Sequence, residues 1–301
     1  MTKQTSKAYV HRLGRHGYVD HILKTLLVKC LSRLSRRYLA EGCEQICTFS
    51  FDLIGNTISA FGAYEREQLA VTLRWMHEQG LVRGIALDVG ANIGNHSLAF
   101  SRSFSEVVSF ELNPRVFKVL AVNAELRPNI RPFNIGVSDT VGRAEFEDFA
   151  VNMGAARIIG EAGPVSTKTC EVTTIDHAFA GRSEEIGLIK LDIEGWEARA
   201  IAGASETLKR WRPLVLFEQN ASDFVGTETE AMRLLQAAGY TEFFTIMPWP
   251  YFPNLPKIVR PVVTAIARLL FGYSQVIRRQ EKITSSFYSF IIARHPQARS
   301  A

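Results

Sequence analysis

The chain has 301 residues, 47% of them hydrophobic and 22% charged, enough to bury a core as one large domain with extensions or as two small domains. It carries no internal repeat and no low-complexity tract, which excludes solenoid and disordered architectures. The formal net charge of +5 hides a partition: residues 1–40 hold nine Lys/Arg against Asp20 alone, residues 257–301 hold eight against Glu281 alone, and residues 41–256 are acidic. Nucleic acid, an anionic membrane surface or an acidic partner would each account for such basic ends.

Four cysteines, Cys30, Cys43, Cys47 and Cys170, lack metal-ligand spacing and read as free thiols of a reducing compartment. No apolar stretch is followed by a small-residue cleavage site, and no run of eighteen apolar residues occurs, so the expected location is cytoplasmic. From Val19 to Tyr38 apolar residues recur at three and four, predicting an amphipathic helix whose other positions hold Lys24, Lys29, Arg33, Arg36 and Arg37. Such a helix either packs on the domain with a solvated basic face or lies on anionic lipid at the inner face of a membrane. Ile46 to Phe61, rich in Thr, Phe and Ile and broken at Gly55-Asn56, is expected to form two short strands. Gly62 to Gln79 reads as a helix turning Leu69, Leu73 and Met76 inward.

The chain is organised around Gly84 to Phe100, GIALDVGANIGNHSLAF. An apolar strand ends in Asp88, small residues fall at Gly90, Ala91 and Gly94, and a helix follows. Glycines there let the backbone approach a ligand, and the helix start presents free N–H groups. The lysine and hydroxyl of a P-loop are missing, as is the GxGxxG spacing of dinucleotide folds. A second strand, Val107 to Phe110, ends in Glu111, 23 residues beyond Asp88, where a carboxylate meets a ribose diol in a doubly wound sheet.

Pro114 to Glu125 is a helix with proline at its start. Ile130 to Val137 is a strand interrupted by Pro132, hence an edge strand, and it carries Asn134, an amide placed to touch a purine or ribose. Ser138-Asp139 and Gly142 form a turn before a strand-like stretch, Ala144 to Phe149. Asn152 to Ala156 is a Gly/Ala-rich loop that either lies across the mouth of the site or simply connects. A short strand over Cys170 to Ile175 leads into Asp176-His177. Ile186 to Leu191 is a strand, apolar apart from Lys190, ending in Asp192-Ile193-Glu194-Gly195; a helix over Trp196 to Leu208 follows. Pro213 to Phe217 again ends in acid and amide, Glu218-Gln219-Asn220. Strands and helices that alternate with acids at the strand ends describe a parallel α/β sheet at its active edge. Thr229 to Ala238 is a helix, Tyr240 to Ile246 a strand, Val259 to Phe271 helical and Phe287 to Ile292 the last strand, with Arg294 to Ala301 a frayed tail.

DVGANIGNHS at 88–97, FELNP at 110–114 and IKLDIEGWEARAIAGA at 189–204 resemble the FkbM-type S-adenosylmethionine-dependent methyltransferases. The match extends through FGAYE at 61–65, the strand around 134–139, NMGAARI at 152–158 and LVLFE at 214–218, covering roughly residues 60 to 245. The resemblance implies a Rossmann-like class I methyltransferase fold, with a seven-stranded mostly parallel sheet and one antiparallel strand, so that Tyr240–Ile246 and Phe287–Ile292 form the terminal hairpin. Residues 1–60 would be a helical and β extension, and 61–301 the catalytic domain with an insertion at 247–286. It also implies S-adenosylmethionine as cofactor and a hydroxyl acceptor on a small molecule or glycan, lipid-linked sugars included. Leu112 stands where the family more often has proline.

The cofactor's methionine end would then meet Asp88, Gly90, Ala91, Asn92, Gly94 and Asn95; Glu111 would accept both ribose hydroxyls, and Asn134, Ser138 and Asp139 would sit near the adenine. Candidates for the proton acceptor are Asp192, Glu194 and His177, with Glu218 behind them, Asp192 serving also to orient cofactor or acceptor. Two buried carboxylates two residues apart should not both ionise freely. Glu194 could instead serve the start of the following helix. Magnesium is an alternative use for Asp192, Glu194 and Glu218, though no spacing demands a metal. Lys190 either points at the acids or snorkels to the sheet edge. A nucleic-acid methyltransferase is the rival enzyme, weakened because the MPWPY segment follows the wrong strand; a non-catalytic scaffold is the rival binding protein.

Overall fold

The computed structural model describes residues 15–147, 157–158, 167–249, 251–252, 254–256 and 258–297. In chain order its helices are α1 (Arg15–Ala40), α2 (Leu53–Phe61), α3 (Arg66–Glu78), α4 (Asn95–Phe100), α5 (Pro114–Ala124), α6 (Ile175–Ala178), α7 (Glu197–Ala202), α8 (Ser205–Trp211), α9 (Glu230–Ala237) and α10 (Arg260–Phe271). The strands are β1 (Ile85–Val89), β2 (Val107–Phe110), β3 (Ile130–Phe133), β4 (Gly136–Val137), β5 (Gly142–Glu147), β6 (Arg157–Ile158), β7 (Thr167–Thr173), β8 (Ile186–Leu191), β9 (Leu214–Gln219), β10 (Phe224–Val225), β11 (Glu228–Thr229), β12 (Glu242–Pro248), β13 (Gln275–Gln280) and β14 (Tyr288–Arg294).

The main sheet has eight strands in the order β13-β12-β14-β9-β8-β1-β2-β3. β3, β2, β1, β8 and β9 are mutually parallel, β14 is antiparallel to β9 and to β12, and β13 is antiparallel to β12. The order reverses between β1 and β8, and that switch point is where an open α/β sheet opens a crevice at its carboxyl edge. β1, β2 and β8 are buried on both faces, as their continuous apolar runs require. One core lies on the side of α7 to α9 and includes Ile201, Leu208 and Leu235; the other lies against α3 and α4 and includes Met76 and Phe100. A second sheet, β4-β7-β5-β6, covers one end of the site through Phe146, Cys170 and Val172, which pack with Leu112.

Several sequence expectations need correcting. The sheet has eight strands rather than seven, because the insertion adds β13 beyond β12 and thereby a second antiparallel strand. The expected strands within Ile46–Phe61 are absent. Residues 53–61 form α2, started by the Asp52 carboxylate, which accepts the N–H groups of Ile54 and Gly55. Gly55 there marks close packing, since a Cβ would lie 2.6 Å from the Phe49 carbonyl. Gly62 ends α2, and the next helix begins only at Arg66. The helix expected over Trp196 to Leu208 is two helices, because the Asp176 carboxylate accepts the N–H groups of Glu206 and Thr207 and starts α8 separately. Arg294 and His295 are packed rather than frayed: Arg294 pairs with Glu242 at 2.5 Å, and the His295 ring meets Tyr240 edge-on. The Asn152–Ala156 loop lies outside the described residues.

The segment before the sheet is tied down by the pairing of Glu44 with Arg127, by Arg102 on the Gly42 carbonyl and by one amide. Asn123 of α5 accepts the Cys47 N–H at 2.7 Å and donates to the carbonyls of Cys47 at 3.0 Å and Ile93 at 2.7 Å. Tyr38 donates to the Ala60 carbonyl, bringing the end of α1 onto α2. Before that turn α1 projects: of its apolar stripe only Leu34 and Tyr38 are partly covered, so the expected packing of this helix on the domain does not occur.

Candidate active site

The site is assembled at the carboxyl edge around the loop after β1. Gly90 has φ +75°, and a Cβ there would fall 1.8 Å from the Asp192 carbonyl, so only glycine lets the loops after β1 and β8 lie this close. The N–H groups of Gly90 and Ala91 both donate to the Phe110 carbonyl, which stitches the loop to β2. Glu111, at the end of β2, accepts the N–H of Asn92 at 3.0 Å and of Asn113 at 2.8 Å, one on each oxygen. Each oxygen keeps acceptor capacity beyond its one N–H. Burial pushes Glu111 up to about 7, against those two N–H groups and the Lys190 charge.

Beneath the loop lies a fully buried lysine. Lys190 of β8 stands directly beside Asp88 of β1 in the sheet. Its Nζ is 3.1 Å from Asp88 and 3.4 Å from Asp192, and it donates to the carbonyls of Gly90 at 2.8 Å and Val89 at 3.4 Å. Burial works to neutralise it, but the two carboxylates outweigh burial and raise its pKa. Lys190 therefore points at the acids, one of its two sequence-level alternatives. Asp88 also accepts the Ser97 hydroxyl at 2.6 Å, so it faces inward and acts on the loop rather than directly on a ligand.

Asp192 and Glu218 form a hydrogen-bonded carboxyl pair. Burial disfavours ionised Asp192, but the Lys190 charge and the Glu218 hydrogen bond prevail and hold its pKa below the ordinary value. Glu218 goes the other way: burial, then the Asp192 charge, lift it far above the carboxylate range, so it carries the proton. The Asp192 side chain keeps 31% of its surface exposed, on the floor of the cleft where a reactant can reach it.

The cleft is lined by Gly90, Ala91, Asn92, Asn95, Glu111, Asp192 and Glu194 from the expected set. Gly94 starts α4 behind it with φ +91°. Asn95 lines the cleft with its amide engaged on the backbone of Tyr64, accepting its N–H at 3.0 Å and donating to its carbonyl at 2.9 Å. An apolar slot between Leu112, Ile135, Val137 and Ile193 adjoins it. Asn134 donates to the carbonyls of Glu111 and Leu112, while Ser138 donates to Asp139, which faces Arg199; these three are outside the lining of both cavities. His177 is exposed on α6, likewise outside the lining. Among the described residues no cluster of three His, Cys, Asp or Glu is arranged to hold a metal.

Four contributors escaped the sequence reading. Tyr64 and His96 line the cleft, and Glu65 lies 3.1 Å from His96. The FGAYE and GNHS motifs carried these residues, but motif membership did not reveal that Asn95 folds one onto the other. Glu197 reaches back to accept the N–H groups of Ile193 at 3.0 Å and Gly195 at 3.3 Å. It takes the loop-shaping role considered for Glu194, and burial lifts it to about 7. Glu65, Asn92 and Glu194 all have left-handed backbones, with φ 51°, 50° and 54°. Strain gathered around one cleft is the signature of a functional site.

A switch-point cleft with a glycine turn, a buried carboxylate at the end of β2 and an adjoining apolar slot is where an open α/β sheet takes its ligand. Residues 88–242, just over half of the chain, match the family model described as "Methyltransferase FkbM domain". The chain belongs to the FkbM methyltransferase family. No curated protein matches it. Solved structures similar to it include an FkbM methyltransferase from Methylobacillus flagellatus KT, 16% identical over 58% of this chain and 41% of that one, with a TM-score of 0.36. The chain thus spans less than half of that protein. A precorrin-6y C5,15-methyltransferase from Geobacter metallireducens GS-15 is 13% identical over 75% of this chain and 87% of that one, TM-score 0.40. Aeropyrum pernix fibrillarin, solved with natively bound S-adenosyl-L-methionine, is 15% identical over 58% and 68%, TM-score 0.34.

Two outcomes are expected. Lys190→Met leaves Asp88 buried beside Asp192 without a counter-charge, and urea unfolding should show a loss of about 3–5 kcal/mol. The buried acids set the second. Glu111 ionises near 4.5 in an unfolded chain and near 7 in the folded one, so between these values the folded state binds the extra proton. Stability of the ligand-free protein therefore falls as pH rises from about 4.5 to 7, and Glu197 acts in the same direction. Melting temperature should decline from pH 5 to 8, with a shallower slope in Glu111→Gln.

Proposed function

We propose that the chain transfers the methyl group of S-adenosylmethionine to a hydroxyl of a small molecule or glycan. The observation that carries this reading is the divided carboxyl pair, Asp192 ionised and open to the cleft beside Glu218, which holds the proton. Bound S-adenosylmethionine supplies a methyl group activated by its sulfonium. Glu111 would take the ribose hydroxyls, the Gly90 loop would lie along the amino-acid end, and the slot of Leu112, Ile135 and Ile193 would receive the adenine. An acceptor hydroxyl needs its proton taken as the new C–O bond forms, and Asp192, an ionised carboxylate in the lining of the cleft, takes it. Tyr64 is pushed up to about 12 by burial and nearby acids, so it remains a neutral phenol able to donate to an acceptor oxygen. Its backbone clamp by Asn95, with His96 and Glu65 beside it, forms the wall that orients the acceptor.

Calorimetric titration tests the cofactor site. The wild type should bind S-adenosylmethionine and S-adenosylhomocysteine with micromolar affinity, and Glu111→Ala should bind at least roughly thirtyfold more weakly. Absence of wild-type binding would overturn the reading. With an acceptor found by a glycan screen, Asp192→Asn should lower kcat by about 10²–10⁴-fold. Glu218→Gln mimics the protonated form and should keep most activity near neutral pH, whereas Glu218→Ala should lose it. Equal losses in Asp192→Asn and Glu218→Gln would argue against Asp192 as the proton acceptor.

A further inference from the structure

α1 is 26 residues long, close to 40 Å of helix, and water reaches nearly all of it. Val19, Ile22, Leu23, Leu26, Leu27 and Leu31 form a continuous apolar stripe with no cover; Leu23 and Leu27 are 55% and 62% exposed. The helix carries six Lys/Arg against a single acid, Asp20, which pairs with Lys24. α10 repeats the pattern. Val262, Ile266, Leu269, Leu270 and Phe271 are exposed, Leu269 by 86%, while Arg260 and Arg268 are its only charges. Trp249 and Tyr273 flank it, both about half exposed, the amphipathic aromatics that favour a lipid–water boundary.

Each helix joins an element that reaches the cleft's edge of the sheet. α1 rests on α2, and Ile54 of α2 lines the cleft. β12 runs parallel to β1 by way of two antiparallel pairings, so the insertion bearing α10 leaves from the carboxyl edge. No helix of the described residues is long and apolar enough to cross a membrane. We propose that α1 and α10 dock the protein peripherally on a bilayer containing anionic lipid, with the mouth of the site on the docked side. Charge selects this occupant over a second copy of the chain. Joining two α1 helices through their stripes would set Arg33 and Arg37 of both copies, seven residues from Leu26 and fourteen from Leu23, along one seam, whereas anionic headgroups neutralise the arginines as the leucines enter the acyl boundary. Two separate amphipathic elements also supply the paired signals that stable anchoring takes. The inference concerns where the protein works and does not depend on the identity of the acceptor.

Co-sedimentation of the full chain with phosphatidylcholine vesicles, with and without about 30% phosphatidylglycerol, tests it, in the absence of cofactor and acceptor. The wild type should bind the anionic vesicles at about 50 mM salt and be released at about 500 mM. Leu23→Glu/Leu27→Glu and Leu269→Glu/Leu270→Glu, all at exposed positions, should each weaken binding by roughly tenfold or more while leaving the melting temperature and cofactor titration unchanged. No binding at low salt would overturn the proposal, as would equal binding to pure phosphatidylcholine. Concentration-dependent dimerisation abolished by the same variants, without vesicle binding, would name a second copy as the occupant instead. Failure here leaves cofactor binding untouched, and failure of cofactor binding leaves docking untouched.

Discussion

The site depends on a buried charge. Lys190 stands between Asp88 and Asp192 in the middle of the sheet and donates to the carbonyls of Val89 and Gly90. Removing three ionised groups from water is expensive, and mutual attraction offsets that only when geometry is good and the remaining polar atoms are satisfied. Here the ammonium has carboxylates on two sides and two carbonyls above it, so one side chain fixes the strand pair, the path of the glycine loop and the charge state of Asp192. Apolar residues in place of all three groups could pack as well but would orient none of these, whereas removing the lysine alone strands two buried acids. The value of the charged cluster as a whole is therefore in positioning rather than in net stability.

Around that hub the cleft sorts its acids by environment. Asp192, paired with the ammonium, stays ionised; Glu218, facing that negative charge, keeps its proton. Glu111 and Glu197 occupy an intermediate condition, buried but fed by backbone N–H groups, and so titrate close to neutrality. Neighbouring carboxyls thus acquire distinct roles from solvation and charge alone, the usual way one cleft comes to hold both an acid and a base. The left-handed backbones at Glu65, Asn92 and Glu194 ring the same space, so conformational strain and electrostatic specialisation coincide.

Much of the sheet was legible because its central strands are short apolar runs ended by acids, a pattern that follows directly from burial on both faces and a polar carboxyl edge. Glu111 and Asp192 could be located for that reason. Asn95 and Asn134 were misjudged in orientation: a side-chain amide satisfies a nearby backbone as readily as a ligand, and sequence spacing does not distinguish the two. Glu197 was hidden inside a helix, where a first-turn acid is commonplace; only its reach back to Ile193 and Gly195 gives it a role. The α2 segment misled because β-branched residues and a glycine suggested strands, while the deciding contacts were an Asp52 cap and the approach of Gly55 to residue 49. β13 lay beyond periodicity altogether, since its pairing is with a strand some thirty residues earlier.

Asn123 has a mechanical consequence. A single carboxamide grips both the segment after α1, through Cys47, and the cofactor loop, through Ile93. Opening of either region breaks bonds of the same amide, which couples their local unfolding. Whatever restrains the N-terminal segment lowers the entropy that the loop has left to lose when a ligand arrives, and a ligand that stiffens the loop returns the favour across the same amide. The extension is thereby part of the site's rigidity although none of residues 15–53 lines the cleft.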